Sequence, residues 1–325
     1  MGTFPRKKVL LSSSSAKIPL IRLAEDCVAR FSGRDLIIGD SDQFALSQFL
    51  GRDFWKMPET VDENVEEIVS GCLERGVDLV FPTRDGELLF WARHKSLFED
   101  RGVKIVVSSL SGVSTCLDKL KFSEWGRARE LPFIPSFPRV PLTSEEKFVL
   151  KERFGSGGKG VFLDKSLAEI LELSRGLSSP IIQPFVHGSE ISIDSWLSLS
   201  GDVHGLVLRT RDVVLNGESR VTTTFSDQTL ELQANSILTR LGRELGLRGP
   251  IVMQAILHQG QLMVVEVNAR FGGASTVSSQ VGLLSIAWSI QERLGSPGRA
   301  DLFRRADFDV RQVRSPADTH IKLMI

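Results

Sequence analysis

The sequence has no excess of charge of either sign. Its 40 Lys and Arg against 40 Asp and Glu leave a formal net charge of zero. That balance removes any global pull toward nucleic acid or an anionic membrane. Cysteine is scarce. Cys27, Cys72 and Cys116 show no metal-ligand spacing and fall in expected helices or at their ends, as reduced thiols of an intracellular protein do. No apolar run approaches the ~20 residues a spanning helix needs. Val9-Leu10-Leu11, behind Arg6, Lys7 and Lys8, is too short for a signal peptide. Arg6 stands where a myristoylation signal wants Ser or Thr after Gly2. These absences point to the cytoplasm. The five histidines have no ligand spacing, and no Ser/His/Asp or Cys/His set is evident. There is no internal repeat.

What is present is length enough, at 325 residues, for two or three lobes. From residue 7 to about 115, short apolar runs alternate with amphipathic ones. Lys7–Ser12, Leu36–Asp40, Asp78–Phe81 and Lys104–Val107 read as strands. Ile18–Phe31, Val61–Arg75 and Glu87–Phe98 read as helices. This βαβα rhythm predicts an α/β fold with an open parallel sheet, whose ligands sit at the carboxyl ends of the strands. Asp40 and Pro82–Glu87 fall at such ends. Asp85 and Glu87 are there either as a solvated loop or as a site for a substrate ammonium group, and the loop position favours the second. Ser12 to Ser15 follow the first strand, as a small-residue turn or as the lining of a small-ligand pocket.

Asp118–Glu130 is an expected helix with Asp118 as N-cap. Leu131 to Pro141 is a connector. Beyond Phe148 the texture is mostly β. Phe148–Lys151, Val161–Leu163, Ile181–Phe185, Val203–Arg209 and Ser219–Phe225 read as strands. Ile191, Ile193, Leu197 and Leu199 suggest a half-buried antiparallel strand. Gln228–Leu245 and Leu283–Leu294 read as helices, and Ile251–His258 with Gln261–Asn268 as a hairpin. The tail reads as irregular.

Two segments carry chemistry. The first is Lys151 before Gly155, Ser156, Gly157, Gly158, Lys159 and Gly160. A dinucleotide fingerprint would need a helix next, and a P-loop would need Lys then Ser or Thr after the last glycine; Val161-Phe162-Leu163 supplies neither. A strand, glycine loop and strand form a flap, whose free N–H groups can close over phosphates. Lys151, among apolar neighbours, either snorkels or meets an anion, and beside such a flap the anion is preferred. The second segment is Glu266, Asn268 and Arg270. Alternation puts Glu266 and Asn268 on one strand face. A glutamate among Met263, Val264, Val265 and Val267 is costly to bury unless paired or metal-bound. One carboxylate and one amide oxygen, with a further carbonyl from Gln254, suit octahedral magnesium alongside phosphates and water. The competing reading is a Glu266–Arg270 salt bridge.

Taken in order, these segments resemble the ATP-grasp superfamily, in particular its carbamoyl-phosphate-synthase-like branch, over roughly residues 7–295. The resemblance rests on Pro82–Glu87, Asp118-Lys119, Lys151 with its flap, Gln183-Pro184-Phe185-Val186, Glu190, Gln254 and Glu266-Val267-Asn268-Ala269-Arg270. It implies a pre-ATP-grasp α/β domain over 1–115, a small lobe over 116–187 and a large lobe over 188–325. It further implies that Lys119 and Lys151 contact the phosphates of ATP beneath the flap, from Gly155 through Ser156, Gly157 and Gly158 to Gly160. Gln183, Phe185 and Val186 would lie along the adenine and Glu190 at the ribose. Gln254, Glu266 and Asn268 would hold Mg2+ (or Mn2+), and Arg270 would steady the transferred phosphoryl group. Gln183 and Gln254 depart from the acidic residues that many members carry there. The implied activity joins a small-molecule carboxylate to an amine through an acyl phosphate. The N-terminal domain, with Asp85 and Glu87, would contribute to the substrate site. Rival readings are a nucleotide-binding regulatory protein and a phosphotransferase. The helices allow a homodimer without demanding one.

Overall fold

A computed structural model describes residues 6–15, 17–140, 147–155, 157–158, 160–295 and 303–315. Strands β1 (Lys8–Ser12), β2 (Asp35–Asp40), β3 (Phe54–Lys56), β4 (Val77–Pro82) and β5 (Lys104–Ile105) form a parallel sheet of order β3-β2-β1-β4-β5. Helix α1 (Ile18–Phe31) opens at Pro19. It buries Leu20, Ile21, Ala24, Cys27 and Val28, the stripe that a 3.6-residue period puts on one face. Helices α2 (Val65–Glu74) and α3 (Asp85–Asp100) cover the other face of the sheet, around the buried Trp91 and Phe98. The expected helix over 61–75 splits, because Asp62–Asn64 forms a separate 3-10 turn. The helix expected over 118–130 is present, and a further one, not expected, precedes it. Helix α4 (Leu110–Leu117) is capped by Ser109, and α5 (Lys119–Arg127) by Asp118, whose carboxylate accepts from the Leu120 and Lys121 amides.

A second, antiparallel sheet of order β7-β6-β8 contains β6 (Phe148–Glu152), β7 (Phe162–Lys165) and, after α6 (Leu167–Leu173), β8 (Pro180–Pro184). Phe148, Leu150 and Ile182 point to one face and pack with Ile170 of α6. Alternation therefore turns Lys151, with Ile181 beside it in register, to the opposite face.

The third sheet runs β11-β12-β10-β9-β13-β14, with β15 paired to β12. Its strands are β9 (Ser189–Leu197), β10 (Val203–Thr210), β11 (Val213–Leu215), β12 (Glu218–Phe225), β13 (Gly249–His258), β14 (Gln261–Asn268) and β15 (Arg311–Val313). The tail is thus partly strand rather than irregular. Helix α7 (Gln228–Leu245) runs from its Asp227 cap to a left-handed Gly246 (φ 77) and packs on Ile191, Ile193, Leu208, Met253 and Val264. The expected half-buried strand is buried on both faces from Ile191 to Leu197, because β9 is central. Its second face is covered by α8 (Thr276–Ser279) and α9 (Ser285–Leu294). Helix α9 also sends Ile286, Ala287 and Ile290 into the core beside α1, tying the third sheet's covering helix to the parallel sheet. Among the described residues no helix is long and apolar enough to cross a membrane.

Burial pushes the thiols of Cys27 and Cys72 up to about 12 and that of Cys116 up as well, and all three are free. Protonated thiols of this kind are inert at neutral pH.

Candidate active site

Lys151 and Glu266 belong to different sheets, yet Glu266 lies close enough to act electrostatically on Lys151. Lys151 is 4 % exposed. Its ammonium is pushed down to about 8, first by burial and also by Lys119, while Glu266 and Glu190 pull it up. Lys151, Lys119, Glu190 and Glu266 therefore share one electrostatic neighbourhood, formed by β6, α5, β9 and β14.

Each member is held in place by the chain around it. Lys119 opens α5, and its Nζ donates to the Gly155 carbonyl at 2.7 Å. Asp118, just before it, takes a two-pronged contact from Arg153 at 2.7 and 2.6 Å and caps the helix with the same carboxylate. The Lys119 amide donates to the Arg153 carbonyl. Helix α5 and strand β6 are thereby locked together, and both lysines are carried on that joint. Arg153 was not singled out in the sequence, since nothing local marks a residue whose partner lies 35 positions away.

The flap glycines adopt backbone conformations that other residues rarely take: Gly155 (φ 121), Gly157 (φ 74), Gly158 (φ 69) and Gly160 (φ 67). The tip meets the β11–β12 turn, where a Cβ on Gly217 would lie 2.6 Å from the Gly157 carbonyl carbon. Only glycine permits that approach, so the flap here bridges the second sheet to the third. Ser156 lies outside the described residues.

Gln254 and Glu266 are opposite one another on β13 and β14, and Asn268 is two residues along from Glu266 on its strand. Asn268 Nδ2 donates to Glu266 Oε1 at 3.5 Å. That contact leaves the Asn268 amide oxygen and the second Glu266 oxygen available. Magnesium binds through one or two carboxylates and completes its shell with waters and phosphates. One carboxylate and two amide oxygens on adjacent strands fit that requirement. Among the described residues no cluster of three His, Cys, Asp or Glu side chains offers a competing metal site.

Glu190 is paired with Arg211 at 3.2 Å. Burial pushes its carboxyl up, Glu266 adds to the rise, and Arg211 and Lys151 oppose it. Arg211 follows the last residue of β10, and the sequence does not mark it as the partner of Glu190. Gln183 is buried, and its amide donates to Ser136 Oγ at 2.8 Å, so its side chain holds the connector. What this stretch can still offer a ligand is backbone, and there the Phe185 amide already donates to the Lys147 carbonyl at 3.0 Å.

Three readings left open by the sequence meet the geometry here. Glu87 is fully buried. One of its oxygens accepts from the Thr83 amide at 2.7 Å and the Arg84 amide at 3.1 Å. The other accepts from Ser12 Oγ at 2.8 Å and Trp91 Nε1 at 2.9 Å. A carboxylate with four donors and no exposed surface is a cap for α3 and an anchor for β1, not a seat for a substrate ammonium. Glu87→Gln is expected to lower stability by about 1–3 kcal/mol, by turning an amide N–H toward these donors. In denaturant melts this loss should appear while the folded variant keeps its nucleotide affinity. The serine turn is likewise internal. Ser13 (φ 50) and Ser15 (φ 35) make a tight bend, and the Ser15 amide donates to Asp40 at 2.6 Å. Finally, Arg270 does not bridge to Glu266. It makes a two-pronged pair with Asp85, with Nε at 2.7 Å from one oxygen and Nη2 on the other. Asp85 thus joins the parallel sheet's helix α3 to the end of β14.

Residues 116–274 match the sequence family described as ATP-grasp domain. The chain carries an ATP-grasp domain. The matched stretch contains Lys119, Lys151, the flap, Glu190, Gln254, Glu266, Asn268 and Arg270. The carbamoyl-phosphate synthase of Methanobrevibacter smithii is 25% identical over 182 residues, covering 52% of this chain and 47% of that protein. The chain therefore spans about half the length of that relative. Solved structures share the fold around the ATP-grasp domain. The biotin carboxylase domain of the Hydrogenobacter thermophilus 2-oxoglutarate carboxylase, in complex with MgADP, ADP and bicarbonate, superposes with a TM-score of 0.74 at 16% identity, over 96% of this chain and 75% of that one. The L-amino acid ligase of Bacillus licheniformis gives 0.70 at 17% identity, over 90% and 75%.

Proposed function

We propose that this protein is an ATP- and Mg2+-dependent carboxylate–amine ligase that releases ADP and phosphate. The observation that carries the proposal is a buried lysine from the small sheet set against a glutamate of the large one, with Lys119 and a glycine flap at the same cleft. A triphosphate needs fixed cations and close backbone N–H groups, and its metal needs oxygens on the other side. The ligation chemistry of the structural neighbours supports the same reading.

A carboxylate oxygen of the first substrate attacks the γ-phosphorus. The bond to the β,γ-bridging oxygen breaks, and ADP leaves with that electron pair. The amine then attacks the acyl carbon, phosphate departs, and the amine loses a proton. Lys119 and Lys151 hold the phosphates and offset their charge. The backbone of Gln183, Phe185 and Val186 lines the adenine, and Glu190 the ribose. Gln254, Glu266 and Asn268 would hold Mg2+, which supplies Lewis-acid neutralisation of phosphate charge. Arg270 steadies the phosphoryl group from its fixed place on Asp85. Catalysis is positioning and electrostatics, which requires no nucleophilic side chain. The flap, meeting the Gly217 turn, excludes the water that would hydrolyse an acyl phosphate.

With a competent acid, ATP and Mg2+, hydroxylamine is expected to trap hydroxamate in step with ADP release. ADP release without hydroxamate, giving instead a stable phosphate ester in the phosphorus NMR spectrum, would mark a phosphotransferase. A third reading, nucleotide binding without turnover, draws on the single carboxylate among the metal residues. It predicts tight ATP binding and no ADP across a wide panel of acids and amines.

A further inference from the structure

A cavity of about 350 Å3 opens beside the metal residues, on the side facing the parallel sheet. Its polar lining is Lys119, Glu266, Asn268 and Asp85, the last paired with Arg270. Its far wall is apolar: Leu88 and Leu89 of α3, and Val113, Cys116 and Leu117 of α4. Phe154 and Gly155 of the flap complete it. Gln183 to Val186 and Glu190, the residues assigned to the base and ribose, do not line it; of the two phosphate lysines Lys119 does and Lys151 does not. The cavity therefore begins where the phosphate end of the nucleotide lies and leads away from the nucleotide.

Asp85, at its rim, is neutralised by Arg270. The volume is at the small end of ligand sites, which run from ~300 to ~1,000 Å3. A space of this size, hydrocarbon on one side and polar only where phosphoryl transfer would occur, fits a molecule with a carboxylate at one end and an apolar group at the other. We propose that this cavity is the side-chain pocket for the carboxylate substrate. It selects acids with a branched aliphatic or aromatic side chain, carried between α3 and α4, and directs their carboxylate toward Lys119 and the Glu266–Asn268 pair. The inference rests on the ligase reading for the direction of the carboxylate but not for the existence of the pocket.

The test is calorimetric binding to the full chain, run with and without a non-hydrolysable ATP analogue and Mg2+. The probes are L-leucine, L-phenylalanine, 4-methylpentanoate and 3-phenylpropanoate, against L-serine and L-aspartate. The apolar acids are expected to bind saturably and at least ~10-fold more tightly than the polar ones, since each ~1.4 kcal/mol of apolar burial is tenfold. If the deaminated acids match the amino acids, the carboxylate and hydrocarbon suffice. If only the amino acids bind, the ligand is an amino acid. Leu89→Trp and Leu117→Trp fill the pocket from α3 and from α4 separately. Each variant that melts cooperatively should lose at least ~10-fold in affinity for the apolar acids. Equal binding of L-serine or L-aspartate, no binding of any apolar acid, or unchanged affinity in both filled variants would overturn the assignment. Binding of the acids without binding of the analogue would instead sink the ligase reading and leave the pocket standing.

Discussion

Glu266→Ala is expected to slow ATP-dependent product formation roughly 100- to 1,000-fold, since Lewis-acid neutralisation at a phosphoryl group is worth several kcal/mol and each ~1.4 kcal/mol is a factor of ten in rate. The size follows from the donor set. Gln254 and Asn268 are neutral, so Glu266 supplies all the formal negative charge that the three proposed ligands bring to the cation. Its removal leaves two amide oxygens, which hold a divalent ion weakly against water. The loss should therefore fall on the metal-dependent part of nucleotide affinity. Analogue binding measured in EDTA should be nearly unchanged, while the tightening produced by added Mg2+ disappears. Removal of Glu266 also takes away a neighbour that favours the charged form of Lys151, so the lysine should titrate lower still in the variant. Near-wild-type turnover in Glu266→Ala would remove the carboxylate from the metal site and, with it, the pairing of β13 and β14 as the cation's platform.

Much of this arrangement was readable before the fold was known, for definite reasons. Helix α7 and strand β14 begin and end where their sequence patterns do, because an Asp227 cap and a Gly246 stop bound the helix, and a mainly apolar run between the Gly260 turn and Asn268 marks the strand. The parallel sheet was legible from its apolar runs. Short elements were not. Strand β3 has only three residues, and its backbone pairs with β2, a partner no local pattern announces. Helix α6 did carry a usable signal, the reciprocal Ser166–Glu169 cap, but seven residues are too few to show a period. Among the site residues, what could be read was chemical type and strand face. What could not be read was partnership. Asp85 and Glu87 lie two positions apart in one acidic turn. One faces Arg270 across the cleft, and the other sinks into four hydrogen bonds. The first turn of α3 separates them, and the sequence gives no sign of which faces inward. The Glu190–Arg211 pair escaped for the same reason, since their register is set by the β9–β10 pairing rather than by either strand alone.

Lys151 allows a sharper test, because its charge is expected to be at stake near neutral pH. In the free protein burial holds its ammonium at about 8, well below the ordinary lysine value. An arriving triphosphate brings negative charge to a group that Glu266 and Glu190 only partly stabilise against Lys119, so the bound state should favour the protonated form strongly. Binding above pH 8 then requires proton uptake, and nucleotide affinity should fall as pH rises, approaching ~10-fold per pH unit. Below pH 8 this group should contribute no slope. Stability should move the other way. Between about 8 and the unfolded value near ~10.4, the unfolded chain holds a proton that the folded chain has released, so unfolding becomes harder as pH rises through that window. Opposed slopes, affinity falling while stability climbs, distinguish a buried phosphate-binding lysine from one that only fills space. Other groups titrate in the same range, so the contrast is drawn against Lys151→Arg and Lys151→Met. The guanidinium stays charged throughout, and the thioether never is. Both variants should lose the alkaline fall in affinity, and Lys151→Met should bind nucleotide weakly at every pH. An alkaline profile in Lys151→Met that parallels the wild type would show that another group carries the titration, and Lys151 would then have no part in holding the triphosphate.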